Sequence, residues 1–310
     1  NLAASARISA SSELRLAEIP FDGGWMPLDY SAAQLLPLKA GVRYRFEIEV
    51  EACEATVLEA ELRYAAKPFN YTPDMTAERV RIPVETGTCK LSIVFTGTVP
   101  SDQYGFVTFL KNNALRIRSS KARYTGIVSV FIKFNEAVNN NGRQTPPAGS
   151  GIDAFEFWCP DRRPAGQNIA MRITPAIEAF SPSNVVNGFV RPTVTANAWC
   201  AAFGDKTPRL SFCWDVPQRI GRIRLFFDTD YDHALESVQM GHPERVIPFC
   251  VQGYRILDGH GNVVCECTDN HQTINDIRLK ETLVTDLLAI VVEHPSSEVA
   301  SALFQIHIEA

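Results

Sequence analysis

Apolar and polar positions alternate along most of this chain. From Val42 to Val50, valine, tyrosine, phenylalanine and isoleucine alternate strictly with Arg43, Arg45, Glu47 and Glu49. A period of two sends one face of an extended strand to a core and the other to water. The same texture returns at Leu58-Ala60-Leu62-Tyr64, Leu91-Ile93-Phe95, 104–110, Leu115-Ile117 and 127–131. It continues at Leu210-Phe212-Trp214-Val216, Ile223-Leu225-Phe227, Tyr254-Ile256, Leu288-Ile290-Val292 and Phe304-Ile306-Ile308. Turn formers separate these runs, and Asp258-Gly259-His260-Gly261-Asn262 reads as a hairpin turn. Only 31–36 and 74–79 read as helical, each for a turn or two. The pattern predicts an all-β protein of two tandem antiparallel, jelly-roll-like β-sandwich domains.

The break between them is placed at 139–150, where a polar stretch rich in Asn, Gly and Pro supplies almost no side chain to bury. Domain one is then 1–138 and domain two 151–310. A length of 310 residues with 45% hydrophobic and 21% charged positions suits two globular domains. A net charge of −5 without basic runs argues against nucleic acid. Apolar runs as short as 287–292 argue against a spanning helix. Eight scattered cysteines in apolar segments read as reduced, buried thiols of a cytoplasmic protein, with disulfides the alternative that an even count leaves open. The chain opens on Asn1 rather than Met and carries no signal peptide, which leaves room for an upstream part.

Catalytic fingerprints are missing. There is no G-x-G-x-x-G, P-loop, G-x-S-x-G or H-E-x-x-H string, so the expectation is a chain with no catalytic site of its own. The densest chemistry is Asp228, Asp230, Asp232 and His233, followed by His242 and Glu244. Three readings stay open there: a polar loop capping its own backbone, a ligand- or partner-facing surface, or a metal site, for a hard cation such as calcium or, with His joining, a transition metal. Asp269–Thr273, with His271, is a second polar cluster. Cys265 and Cys267 share one strand face and read as core positions rather than half a zinc site. Trp25, Trp199 and Tyr71 lie near turn signals and are candidates for stacking on a sugar, against the plainer reading of packing. Trp214 reads as core.

Two resemblances add to this. Ser183-Asn184-Val185-Val186-Asn187-Gly188 followed by Asn197-Ala198-Trp199-Cys200-Ala201 is similar to the opening of the discoidin-like (galactose-binding-like) jelly roll. Asn187 stands where that pattern has Asp, beside a turn that often holds calcium in that fold. Almost the whole chain also resembles the C-terminal region of large bacterial FAD-dependent oxidoreductases. Its matching strings include Asp22-Gly23-Gly24-Trp25-Met26-Pro27-Leu28-Asp29, Arg163-Pro164-Ala165-Gly166-Gln167-Asn168, Phe227–His233, Met240–Arg245 and Asp269–Thr273. That resemblance implies a flavin-binding domain upstream, with FAD held there and by no residue of this chain. The leading expectation is a non-catalytic accessory region that covers the flavin domain or binds its carbohydrate-like substrate. On this reading Asp228, Asp230, Asp232, His233, His242, Glu244, His271 and Trp199 face a ligand or partner. The alternatives are an independent lectin-like carbohydrate-binding protein and, further off, a stand-alone hydrolase or lyase using the Asp/His segment.

Overall fold

A computed structural model describes residues 1–70, 73–132, 142–144, 155–157, 168–229, 247 and 249–310, with backbone alone at 131, 132, 142–144 and 155–157. The first strands are β1 (Arg7–Ala10), β2 (Leu16–Ile19), β3 (Trp25–Leu28), β4 (Ser31–Leu38), β5 (Arg45–Ala52), β6 (Thr56–Tyr64) and β7 (Met75–Val84). Next come β8 (Gly87–Val94), β9 (Gln103–Phe109), β10 (Asn112–Ser120), β11 (Val128–Ile132), β12 (Gly142–Gln144), β13 (Phe155–Phe157) and β14 (Asn168–Ile169). The last are β15 (Met171–Ile177), β16 (Trp199–Cys200), β17 (Arg209–Phe227), β18 (Tyr254–Leu257), β19 (Val263–Cys267), β20 (Ile274–Val292) and β21 (Ala302–Glu309). The named strands pair antiparallel throughout, and no α-helix occurs among the described residues. The all-β expectation holds.

Two of the predicted elements change type. The helical turn expected at 31–36 is β4, and the one at 74–79 falls in β7. Strand β4 is buried at seven of its eight positions, on both faces, so no polar alternation marks it as a strand.

The chain divides into two units, each assembled from separated stretches. The first comprises Leu16–Ala122 and Ile127–Ile177, the second Asn1–Arg15, Arg123–Gly126 and Glu178–Ala310. A single cut at 139–150 differs from this division, because β15 pairs with β5 and β2, and β1 pairs with β17. Such long-range pairings leave no local trace in composition.

In the first unit, one sheet runs β14-β10-β5-β15-β2, with β3 on β10 and β8 on β5; the other runs β11-β4-β9-β6-β7. Phe46, Ile48 and Val50 of β5 and Leu58 and Ala60 of β6 are at most 1% exposed. Each such large apolar side chain contributes on the order of 2 kcal/mol by leaving water. The charged residues between them point outward and pave the opposite face of the β5 sheet.

In the second unit a single sheet, β16-β21-β17-β20-β18-β19, supplies both walls. Strands β17 and β20 are 19 residues each, and their pairing slips between Cys213 and Gln218 and again between Ile220 and Arg222. Bulges of this kind bend a strand. The early part of β17 then pairs with β1 and the late part with β21. Phe212 and Trp214 before the bend, and Ile223, Leu225 and Phe227 after it, line one core with Trp199, Ile256, Ile290 and Ile306. Asp258–Asn262 closes the β18–β19 hairpin as its sequence suggests, with Gly261 at φ +82°, a conformation that favours glycine.

Candidate functional site

Strand β17 ends at Phe227 and delivers Asp228 and Thr229 to one end of the second unit. Asp228 is nearly buried, and its Oδ2 accepts from the Thr125 hydroxyl at 2.6 Å. Thr229 meets Thr273 hydroxyl to hydroxyl at 2.8 Å, and the Phe227 N–H donates to the Thr273 carbonyl at 2.8 Å. The two polar clusters singled out in the sequence, 228 onward and 269–273, therefore lie side by side. Asn270 ties the neighbouring loops together. Its Nδ2 donates to Val251 O at 2.8 Å, and its Oδ1 accepts from the Gln272 N–H at 3.0 Å and from Asn275 Nδ2 at 2.8 Å. His271 is partly exposed, its Nδ1 at 3.1 Å from Asp269 O. Asp230, Asp232, His233, His242 and Glu244 lie outside the described residues, as does Tyr71. Asp228 and its neighbours form a satisfied internal network, which is how a buried carboxylate avoids a large desolvation cost.

The cysteines near this end are chemically quiet. Burial, reinforced by the Asp228 charge, raises the Cys200 thiol, and the same causes in the same order push Cys250 up to about 12. A thiol so held is protonated at neutral pH and is a poor nucleophile or metal ligand. Cys53, by contrast, is exposed. No group of three or more His, Cys, Asp or Glu suited to a metal occurs among the described residues.

Trp199 is a correction to the expected ligand-facing set. Its side chain has no exposed surface, and its indole N–H donates to Ser12 O at 2.9 Å, so it offers no ring face to a sugar. Trp214 is core as expected, donating to Leu2 O at 3.0 Å. The turn at Asn187 is built from amides. Asn187 Oδ1 accepts from the Phe189 N–H at 2.9 Å, its Nδ2 donates to Asn197 Oδ1 at 3.4 Å, and Gln305 Oε1 accepts from the Gly188 N–H at 3.1 Å. These side-chain oxygens are neutral amides that already accept hydrogen bonds from the turn.

The first unit carries a groove that the sequence did not reveal. It lies on the outward face of the β5 sheet, encloses about 240 Å³, and is lined by Phe21, Glu47, Glu49, Lys90, Ser92 and Arg172 among others. Alternation puts Glu47 and Glu49 on this face, and strand pairing sets Arg172 and Ser92 opposite Glu47 and Lys90 opposite Glu49. Lys90 approaches Glu49 at 3.5 Å, and Arg172 Nε donates to Glu18 at 2.9 Å. The Glu18 bond, followed by its charge, holds the Arg172 guanidinium above its ordinary range. Phe21 adds a partly exposed ring, its carbonyl accepting from Arg118 Nη2 at 3.5 Å. Arg118 in turn stacks over Trp25 at 5.2 Å from the ring centre, covering a face of the ring that the sequence offered as a sugar platform. The groove thus presents carboxylate acceptors, cationic donors, a hydroxyl and an aromatic ring, with Lys90 engaged by Glu49 and Arg172 by Glu18.

No family model and no curated protein matches the chain. Among solved structures, chitosan-binding module 1 of a chitosanase/glucanase from Paenibacillus sp. IK-5 is 14% identical, covering 43% of this chain and 86% of that one at a TM-score of 0.31. The family 32 carbohydrate-binding module from Streptococcus pneumoniae EndoD is 12% identical over 42% of this chain and 86% of that one, at 0.32. The family 32 module of C. perfringens NanJ, solved with galactose, is 12% identical over 41% and 82%, at 0.29. At these scores the likeness carries no conclusion about a ligand.

Proposed function

We propose that this chain is a non-catalytic carbohydrate-binding region whose first unit takes a neutral glycan in the Phe21 groove. The observation that carries the reading is the composition of that groove. A pyranose has an apolar C–H face and a rim of hydroxyls that both donate and accept. Phe21 suits the face, while Glu47 and Glu49 accept, Arg172 and Lys90 donate, and Ser92 does either. Both cations are already engaged by carboxylates, Lys90 by Glu49 and Arg172 by Glu18, so neither is left over for an anionic ligand and an uncharged polyol suits the groove better than an acidic sugar. The sequence's similarity to the discoidin-like jelly roll at 183–201 supports a carbohydrate reading of the chain, although those residues belong to the second unit and not to the groove.

In the full-length protein we place this region behind a flavin-binding domain, where it covers that domain or holds its substrate; FAD belongs to the upstream domain. The support is the set of long strings shared with the C-terminal region of FAD-dependent oxidoreductases. The native protein from its source cells tests this part. A yellow species much heavier than 34.4 kDa supports it, and a colourless one at 34.4 kDa makes the chain an independent lectin-like protein.

The carbohydrate reading is tested by calorimetric titration of the chain with neutral oligosaccharides. Phe21→Ala and Arg172→Ala should each abolish measurable binding while leaving the circular dichroism unchanged. Saturable binding that survives both changes would move the site elsewhere.

A further inference from the structure

In the second unit, residues 188–195 lie between the short 3₁₀ turn Pro182–Val186 and β16. At their start Phe189 and Val190 are each 43% exposed, and Arg191 follows them in solvent. Exposed apolar side chains are ordinary when scattered, but here they sit on a stretch whose backbone is fixed point by point. Asn187 Oδ1 holds the Phe189 N–H at 2.9 Å. Asn197 Nδ2 holds the Arg191 carbonyl at 3.1 Å and the Thr193 hydroxyl at 2.6 Å. Gln305, 2% exposed, anchors Gly188 from β21. Asn197 itself is 3% exposed and adopts φ +54°, a left-handed conformation that only a few residue types tolerate. The buried amide of Asn197 thus pins the backbone at Arg191, while Asn187, itself exposed, holds that of Phe189. That removes in advance much of the ordering cost of binding.

We propose that Phe189 and Arg191 form a second carbohydrate contact, selective for an acidic sugar. The proposal rests on the carbohydrate reading above and adds a different site with a different ligand class. Phe189 is 43% exposed, so it keeps accessible apolar surface of the kind a pyranose stacks on. Two residues on, Arg191 offers a planar pair of donors that matches a uronate carboxylate in bidentate fashion. Unlike the groove, this loop sets no carboxylate of its own among residues 187–197, so its cation is available to an anionic ligand.

The test is titration of the chain with an oligogalacturonate and with a neutral oligosaccharide of the same length. The oligogalacturonate should bind, more weakly as salt is raised. Arg191→Gln and Phe189→Ala should each weaken it about tenfold, as expected when a charge-assisted bond or an aromatic contact is lost. Arg191→Lys should recover only part of the loss, and neutral-sugar binding should be untouched by all three. Oligogalacturonate affinity unchanged in both Arg191→Gln and Phe189→Ala overturns the proposal. So does neutral binding with no uronate binding, which leaves the groove reading intact. If neither sugar binds, both readings fall. Phe189-dependent binding to vesicles of anionic lipid, without uronate binding, would make the loop a membrane contact instead and overturn the proposal.

Discussion

Glu61 has no exposed surface, and the guanidinium groups of Arg63 and Arg79 stand against its two oxygens. Nothing in the alternating run Leu58–Tyr64 distinguishes it from a solvent-facing glutamate; only strand pairing with β7 brings Arg79 opposite. Glu61→Gln keeps the volume and removes the charge, leaving Arg63 16% exposed and unbalanced. The cost should be about 3 kcal/mol, the low side for a broken buried pair because Arg79 is half exposed. Urea denaturation measures it, and a change under 1 kcal/mol contradicts the pairing. His307 supplies a pH dependence. Burial first, and then the Arg224 charge, hold its pKa below the ordinary histidine value. The unfolded chain therefore binds the proton more readily, so the stabilisation is complete above about pH 6.5 and is lost as pH falls through the lower folded value. His307→Gln should flatten this part of the profile between pH 7.5 and 5.5, and an unaltered slope in denaturation midpoints would count against it. Site residues were legible to an uneven degree. Asp228 and the 269–273 cluster were visible as dense polar chemistry and do lie together. Trp199 read as a loop aromatic because burial depends on what covers a residue, here Ser12 from the far end of the chain.

At the scale of elements, alternation made the strands of half-buried sheets readable and failed where both faces are covered. Strand β4 is the case in point: with Ala32 and Ala33 fully buried and Gln34 buried too, its sequence has no polar beat. The same crowding fixes Gly105 in β9. A Cβ there would come within 2.4 Å of Leu38 Cδ1 and 3.1 Å of its Cγ, with Leu62 also near. Gly105→Ala should destabilise the chain by roughly 1–3 kcal/mol, as overpacking does. Thermal unfolding of the variant measures this, and a midpoint equal to wild type would show that Leu38 moves aside freely. The groove belongs to this scale as well. Glu47 and Glu49 are plain in the sequence, but the cations beside them, Arg172 and Lys90, arrive from two other strands, and register alone brings them together.

For the whole molecule, the all-β class followed from local pattern, while the division into units did not. Asn1–Arg15 and Glu178–Ala310 cluster together although most of the chain separates them. What unites the account is an all-β chain of two units, with the Phe21 groove of the first proposed as the place where a sugar binds. The most direct measurement is a titration of the purified chain, wild type beside Phe21→Ala, against neutral oligosaccharides, followed by backbone amide shifts. The account predicts saturable shifts centred on Phe21, Glu47, Glu49, Lys90 and Arg172 that disappear in the variant. Shifts confined to other surfaces, or none with any glycan, would contradict it.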